Sequence, residues 1–379
     1  MRARAPLLLG SLLALTISAL PAPEAGRRPL SLETMIGLKS IGTVSLAPDG
    51  KTVAFDVNSV DWEANTFRTD VWLALTDGSR CFQLTRGKDM NMAPAWSPDG
   101  QALAFLSTRL GRPQVFLFRA GYGEPELLFQ APNGVGKFAW SPDGTAVAFL
   151  TSETPDARIT EARAKGFDSV QMDESPPRSQ LYLYDIASKT TKPLAAGDFH
   201  IIGFSWSPDG SRIAYITSPK NIEYVTWEDQ TVRLVGRDGT GAEALDFKYY
   251  PSFSRHGEAA WSPDGQALVL EAGDLAKPEL WNHALLVHDL QTRKTFSASG
   301  DADLFMFNVR FTPDGKSVYF LAYKDQNSQF FRADIAERRV EQASRFPTME
   351  VNRYSIAADG LTVAFSASTP DNAQEIYLS

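Results

Sequence analysis

Short runs of alternating apolar and polar residues recur along the chain, the period-two signature of half-buried β-strands. Seven of these runs end on the same punctuation, x-Pro-Asp-Gly or a near copy of it. The copies close at Gly50, Gly100, Gly144, Gly210, Gly265, Gly315 and Gly360. Successive copies lie 50, 44, 66, 55, 50 and 45 residues apart. That period suits a four-stranded propeller blade carrying insertions, and is too long for leucine-rich or ankyrin units.

Before each turn, two apolar residues fall on one strand face: Val44/Leu46, Pro94/Trp96, Phe138/Trp140, Phe204/Trp206, Ala259/Trp261, Val309/Phe311 and Tyr354/Ile356. These pairs are expected to fill the space between blades, which makes the tryptophans core residues and not a stacking platform. Pro94 cannot donate to a strand ladder, so its strand is expected to start late or to have a free edge there. A second apolar strand follows each turn, as in Val53-Ala54-Phe55 and Val147-Ala148-Phe149, then a third, as in Val71-Trp72-Leu73. Weaker outer strands are placed near Phe82–Leu84, Glu126–Leu128, Lys192–Leu194, Glu243–Leu245, Lys294–Phe296 and Val340–Gln342.

The fold this predicts is all-β: a seven-bladed β-propeller of four-stranded blades over residues 41–379, the seventh lacking its outer strand. Residues 27–40 are the alternative source of a closing strand, but Leu32–Ile36 reads as one helical turn, which favours an open seventh blade with an unpaired edge.

In most turns a Ser or Thr opens the corner and Pro presets φ. The aspartate then bonds nearby backbone amides, and glycine takes the left-handed position. Asp49, Asp99, Asp143, Asp209, Asp264, Asp314 and Asp359 are therefore read as turn formers, and not as catalytic groups or metal ligands.

Composition adds exclusions. Net charge is −8, from 37 basic and 45 acidic residues, with no Lys/Arg block, which argues against a nucleic-acid partner. Arg2 and Arg4 followed by an apolar run from Leu7 to Leu20 read as a signal peptide over residues 1–24, with residues 25–40 as an N-terminal segment. The expectation is an exported protein, periplasmic or secreted, with no membrane span after signal removal. Cys81 is the single cysteine, so no internal disulfide forms, and it is read as a buried structural thiol.

The phrases Trp96-Ser97-Pro98-Asp99-Gly100, Leu103-Ala104-Phe105-Leu106-Ser107-Thr108-Arg109, Gly111-Arg112-Pro113-Gln114-Val115 and Gly123-Glu124-Pro125-Glu126-Leu127 resemble the N-terminal propeller of the prolyl oligopeptidase family of serine peptidases, in particular its dipeptidyl and acylaminoacyl peptidase branch. The opening Leu32–Gly50 and the closing Glu375-Ile376-Tyr377-Leu378 resemble the two ends of that propeller. Individual motifs are shared with TolB-like propellers. The resemblance implies a propeller that caps an α/β-hydrolase domain and limits access to short or unstructured peptides. Here the chain stops where that domain is expected to begin, and no G-x-S-x-G elbow with a Ser, Asp, His order is present.

The expectation is thus a noncatalytic, substrate-gating propeller with no cofactor and no metal, whose partners are peptides and a hydrolase domain or partner protein. The alternative is a freestanding periplasmic TolB-like propeller that binds protein or peptide ligands. The seven-turn count and the absence of a preceding α/β domain weigh against close TolB kinship.

Two insertions carry the substrate-binding candidates. Glu153–Arg178 in the longest interval holds a helix-compatible centre, Asp156–Lys165, ending at Gly166, with Glu153 and Glu161 as acids. Related dipeptidyl peptidases hold the substrate amino terminus with paired acids on such an insertion; the adjacent acids here are Asp173-Glu174, which lie beyond the helix. Pro219–Gln230 carries Tyr224, Trp227 and Glu228 beside Asp229. Asp61, Trp62, Glu63 and Arg68 form a third loop, equally readable as packing. The four histidines, His200, His256, His283 and His288, are read as structural.

Overall fold

Each Pro-Asp-Gly corner closes an antiparallel pair in the same register. Leu46 faces Val53, Trp96 faces Leu103, Trp140 faces Val147, Trp206 faces Ile213 and Trp261 faces Leu268 across the first two strands of their blades. Phe311 opposite Val318 and Ile356 opposite Val363 complete the series. The computed structural model describes residues 31–119, 122–167, 177–221, 230–246, 250–251, 259–273, 283–324, 326–346 and 348–379. It is a seven-bladed β-propeller.

Strands are lettered a to d from the axis outward. Blade 1 runs Ser40–Leu46, Thr52–Asp61, Thr66–Leu75 and Cys81–Gln83. Blade 2 runs Asn91–Trp96, Ala102–Leu110, Arg112–Arg119 and Tyr122–Phe129. Blade 3 runs Lys137–Trp140, Ala146–Ser152, Ser179–Asp185 and Thr190–Ala195. Blade 4 runs His200–Trp206, Arg212–Ser218, Thr231–Gly236 and Glu243–Ala244. In blade 5 two short segments, Tyr250–Pro251 and Ala260–Trp261, share the position of strand a, before Ala267–Gly273, His283–Asp289 and Lys294–Ser297. Blade 6 runs Met306–Phe311, Ser317–Lys324, Asn327–Asp334 and Arg339–Gln342. Blade 7 has three strands among the described residues, Glu350–Ile356, Val363–Ser368 and Glu375–Leu378.

Ring closure between blades 7 and 1 is by packing and side-chain bonds. Val44, Leu46 and Phe55 share a core with Ala357 and Ala364. The Leu46 amide donates to Ser355 Oγ (3.0 Å), and the Ile41 amide to Gln374 Oε1 (2.6 Å). Helix α1, Leu32–Ile36, is fully exposed and precedes strand a of blade 1 without joining a sheet.

The tryptophans before the turns pack at blade interfaces, Trp261 buried and Trp96, Trp140 and Trp206 partly buried, and three of the four also bond across them. The indole N–H groups of Trp140, Trp206 and Trp261 donate to the carbonyls of Ala95, Ala139 and Ser205, each on strand a of the preceding blade (3.2, 3.4 and 3.2 Å). The open edge of the neighbouring inner strand supplies the partner in these three blades, while the Trp96 indole nitrogen of blade 2 is buried without one. Pro94 lies within strand a of blade 2, so the strand does not start late. It sits in a bulge between Met92 and Ala95, on an edge strand, where a missing N–H costs no ladder bond.

The turn aspartates accept from the corner itself. Asp99, Asp264 and Asp314 each take a hydroxyl proton from the residue opening the turn (2.6 Å) and an amide two residues on (3.0 Å). In turns that open with alanine, Asp49 keeps the amide bond alone, and Asp359 accepts the amides of Leu361 and Thr362 and the Thr362 hydroxyl. Hydrogen bonds from Ser207 and Ser211 hold the Asp209 carboxyl down to about 2.

All seven turn glycines have φ between 68° and 71°. They have a second role that no single repeat reveals. Each glycine from Gly100 to Gly360 lies against the turn proline of the blade before it, so the corners form a linked circle. Alanine at Gly100 would put its Cβ 3.5 Å from Pro48, but at Gly360 only 2.1 Å from Pro313. Gly100→Ala is expected to cost about 1 kcal/mol from the left-handed backbone alone. Gly360→Ala is expected to cost about 2–3 kcal/mol, because a rigid ring must also move. Urea unfolding of the two variants reads the difference, and equal costs would mean that the corners do not touch.

Strand direction sorts the loops onto two faces. The Pro-Asp-Gly corners and the c–d hairpins lie on one, the turn face. The b–c connections, the d-to-a crossings and the chain's entry into blade 1 lie on the other, which therefore bears the long insertions.

Candidate functional site: the axial channel and the insertion face

Strand a of every blade borders the axis, and in blades 1, 2, 4, 6 and 7 it is bulged near its start. A bulge turns one extra residue out of the ladder, and here it turns toward the channel. Two of these residues, Ala93 and Asn308, take left-handed conformations (φ 53° and 55°). The channel encloses about 530 Å³ and is lined from all seven blades, from Thr43 in blade 1 to Arg353 in blade 7.

Buried acids hold the left-handed residues in place. Asp56, on strand b of blade 1, accepts the amide of Ala93 in blade 2 (2.8 Å) and that of Thr43 in its own blade (3.1 Å). Glu271, on strand b of blade 5, accepts the amide of Asn308 in blade 6. The Tyr354 hydroxyl of blade 7 donates to the Asn308 carbonyl (2.5 Å), so the peptide groups on either side of the Asn308 Cα are both held. Burial raises the Asp56 carboxyl above its ordinary range despite these amides. It pushes Glu271, 5% exposed, up to about 8, against the opposing pull of Arg310 and the Asn308 amide. Burial thus favours the protonated form of Glu271 well above the usual carboxylate range. Three cations, Lys137, Arg310 and Arg353, also line the channel.

These residues were not among the candidates drawn from the sequence, although a signal for two of them exists. The sixth residue after each turn glycine reads Asp56, Leu106, Leu150, Ile216, Glu271, Leu321 and Ser366. Two acids in an otherwise mostly apolar column mark the blades whose successors need an amide held.

The sequence candidates lie elsewhere. Glu153 stands at the base of the blade 3 insertion, where it accepts the Arg178 amide (3.2 Å) and pairs backbone with Arg178. Glu161 is exposed on helix α2, Ala157–Ala164, which Asp156 caps through the Arg158 amide and which ends at Gly166 (φ 85°). The structure thus keeps Glu153 and Glu161 apart. Tyr224, Trp227 and Glu228, with Asp173 and Glu174, lie outside the described residues. Asp61 and Arg68 pair with each other (3.7 Å), and Arg68 also reaches Asp70 (3.4 Å), which is loop packing.

His200 accepts the Ser179 amide (3.0 Å), and burial lowers its imidazole to about 4. His288 shares a hydrogen bond with Thr295 (2.8 Å). Cys81 is half-buried, and its thiol is pushed up by that burial.

Exposed large apolar side chains concentrate on the insertion face. Among the described residues, eleven of thirteen lie there, including Met35, Leu38, Trp62, Phe67, Leu110 and Phe167; Leu127 and Leu361 are the exceptions. Phe305, Phe307 and Tyr323 form a cluster at the same end of blade 6, with centroids 5.5–6.5 Å apart.

Known proteins match both the repeat and the architecture. Residues 39–176 match the TolB beta propeller domain family, and residues 175–277 match the dipeptidyl peptidase IV N-terminal region. The chain is 26% identical over 368 residues to dipeptidyl-peptidase 5 of Porphyromonas gingivalis, a match covering 86% of this chain and 52% of that protein. It is a propeller related to peptidase propeller domains and to TolB. Two solved structures agree with it in fold. The acylaminoacyl peptidase of Pyrococcus horikoshii superposes with a TM-score of 0.66 at 14% identity, over 91% of this chain and 52% of that one. The β-propeller domain of the Trilobed protease from Pyrococcus furiosus gives 0.62 at 12% identity, over 90% of this chain and 93% of that one. The chain spans about half the length of the dipeptidyl-peptidase 5 that it matches. Among the described residues, no helix is long and apolar enough to cross a membrane.

Proposed function

We propose that this propeller is the noncatalytic, substrate-gating part of an exported serine peptidase of the prolyl oligopeptidase type, and that a hydrolase domain docks on its insertion face. The observation that carries the reading is the one-sided distribution of exposed apolar side chains. A freely solvated propeller has no physical reason to gather them on the face that also bears its insertions, whereas a docking surface does. The 26% match to a dipeptidyl-peptidase about twice as long supports it.

In this reading Glu161, with Tyr224, Trp227 and Glu228 of the second insertion, meets peptide at the rim of the gate, while Glu153 fixes the base of the first insertion. The described strands flanking both insertions end on the insertion face, which supports their pairing at one mouth. Export rests on the Arg2, Arg4 and Leu7–Leu20 pattern. The freestanding TolB-like alternative draws on a match of 38% identity to a TolB homologue of Chlorobium luteolum, but that match covers 14% of the chain.

The test is the intact mass of the native exported protein together with labelling by a serine-reactive fluorophosphonate. The expected result is a labelled species larger than this chain by a hydrolase domain and shortened by its signal. An unlabelled species near the 41.7 kDa of the chain less its signal would overturn the peptidase reading and favour a binding propeller.

A further inference from the structure

Blade 1 carries two elements on the insertion face that are well formed but leave their apolar sides bare. The first is the hairpin of strands b and c. Its ladder reaches Asp61, opposite Thr66 and eleven residues past the turn glycine Gly50. The ladders of blades 3 and 5 stop eight residues past theirs, and none of the others reaches further than ten. Three extra residues carry the tip about 10 Å further out than in those two blades. The tip is braced, because the Asp61 carboxylate accepts the Ala64 amide (3.0 Å) and pairs with Arg68 (3.7 Å). On it, Trp62 and Phe67 are 55% and 65% exposed.

The second element is helix α1. It spans five residues, buries none of them, and sets Leu32, Met35 and Ile36 on one side at i, i+3 and i+4. A helix of that length is not stable in water by itself. The two elements adjoin: the Trp62 ring comes within 4.0 Å of the point where a Gly37 side chain would begin. A braced hairpin has already lost its conformational freedom, so covering its aromatic rings costs little further entropy. That is the profile of a binding anchor.

We propose that this arm, Trp62 and Phe67 on the hairpin with the apolar side of α1, is the main contact through which a hydrolase domain holds the propeller. The assignment rests on the peptidase reading and names, within the broad insertion face, the place that bears the contact. The two rings alone offer about 300 Å², a large share of the roughly 800 Å² per side that a stable interface buries. The occupant is a folded domain with an apolar pocket for Trp62. The match to dipeptidyl-peptidase 5 of Porphyromonas gingivalis covers 86% of this chain but 52% of that protein, so about as much chain again accompanies the matching part there, enough for such a domain.

The test is hydroxyl-radical footprinting, read by mass spectrometry, of the native exported protein and of residues 25–379 alone. Met35, Trp62 and Phe67 should oxidise at least about fivefold more slowly in the native species. Leu361 on the turn face, 82% exposed, should oxidise equally in both. In the native species, Trp62→Ala combined with Phe67→Ala should speed proteolytic separation of the two domains about tenfold, and Leu361→Ala should not. Neither ring is buried, so the double variant should keep the parent's unfolding midpoint. Equal oxidation of the arm in a longer, fluorophosphonate-labelled native species would overturn the proposal and leave the peptidase reading standing. So would unchanged proteolysis of the double variant. A native species of this chain's length, with the arm protected only at high concentration, would overturn both and assign the arm to a second copy of the chain.

Discussion

Phe365→Ala in blade 7 is expected to lower the unfolding free energy by about 3–5 kcal/mol, the cost of deleting a fully buried phenyl ring and leaving its cavity. Phe365 has no exposed surface. Its ring stacks on Phe346 (5.8 Å between centroids) and Tyr377 (5.5 Å), and meets Phe330 of blade 6 edge-on (5.5 Å). Blade 7 shows three strands among the described residues, so this aromatic group carries much of the contact between the last blade and its neighbour. The hole cannot collapse, because strands on both sides hold their spacing through ladder bonds. Urea unfolding at constant pH reads the loss directly. Phe105→Ala is the comparison, since Phe105 is equally buried but lies in a four-stranded blade, stacked on Phe116 at 6.4 Å. A loss below about 1 kcal/mol at Phe365, with a normal loss at Phe105, would mean that blade 7 is not packed against blade 6 as described.

Glu271's contribution to stability should fall as pH rises from about 4.5 to about 8, opposed below about pH 6.5 by the lowered His200, and Glu271→Gln should remove that contribution. Glu271 sits at 4.5 when unfolded and near 8 when folded, because burial opposes its charged form. Between those values the folded protein holds a proton that the unfolded chain has released, so raising the pH favours unfolding. The stabilisation is complete below the unfolded value and is lost as pH rises through the folded one.

Glutamine keeps the acceptor for the Asn308 amide and never ionises, so the variant should match the parent near pH 5. At pH 9 it should exceed the parent by about 2–4 kcal/mol. Asp56 shifts in the same direction, whereas the lowered His200 acts in the opposite one, so the double variant with Asp56→Asn should grow more stable as pH rises to about 6.5. Denaturant unfolding at pH 5, 7 and 9 decides it. A variant that keeps the parent's full slope would show that Glu271 is already ionised in the folded state.

Legibility from sequence followed the range of the interactions. The Pro-Asp-Gly corners, the strands beside them and helix α2 were readable because each is made by residues within a few positions of one another. The left-handed glycine, the aspartate on a nearby amide and the alternation in the paired strands are all local. The three described strands of the seventh blade were legible too, because counting repeats needs no tertiary information.

Pro94 was half-read. Its missing N–H was correctly taken to need a free edge, but the bulge that lets the strand run through it depends on the position of strand a beside the axis.

The insertions were legible as insertions, though not as a site. Glu153 and Glu161 share a segment, yet the fold gives one to the base of the insertion and leaves the other exposed. The channel lay out of reach for a different reason. Thr43, Lys137, Glu271, Arg310 and Arg353 are separated by some 40 to 130 residues between neighbours in the chain and meet only because seven blades close on one axis. The blade repeats are set by hydrogen bonds and alternation over about fifty residues, which a sequence displays. Which side chains face one another across the ring, how much water they lose and what charge they share are properties of closure, and only the tertiary structure decided them.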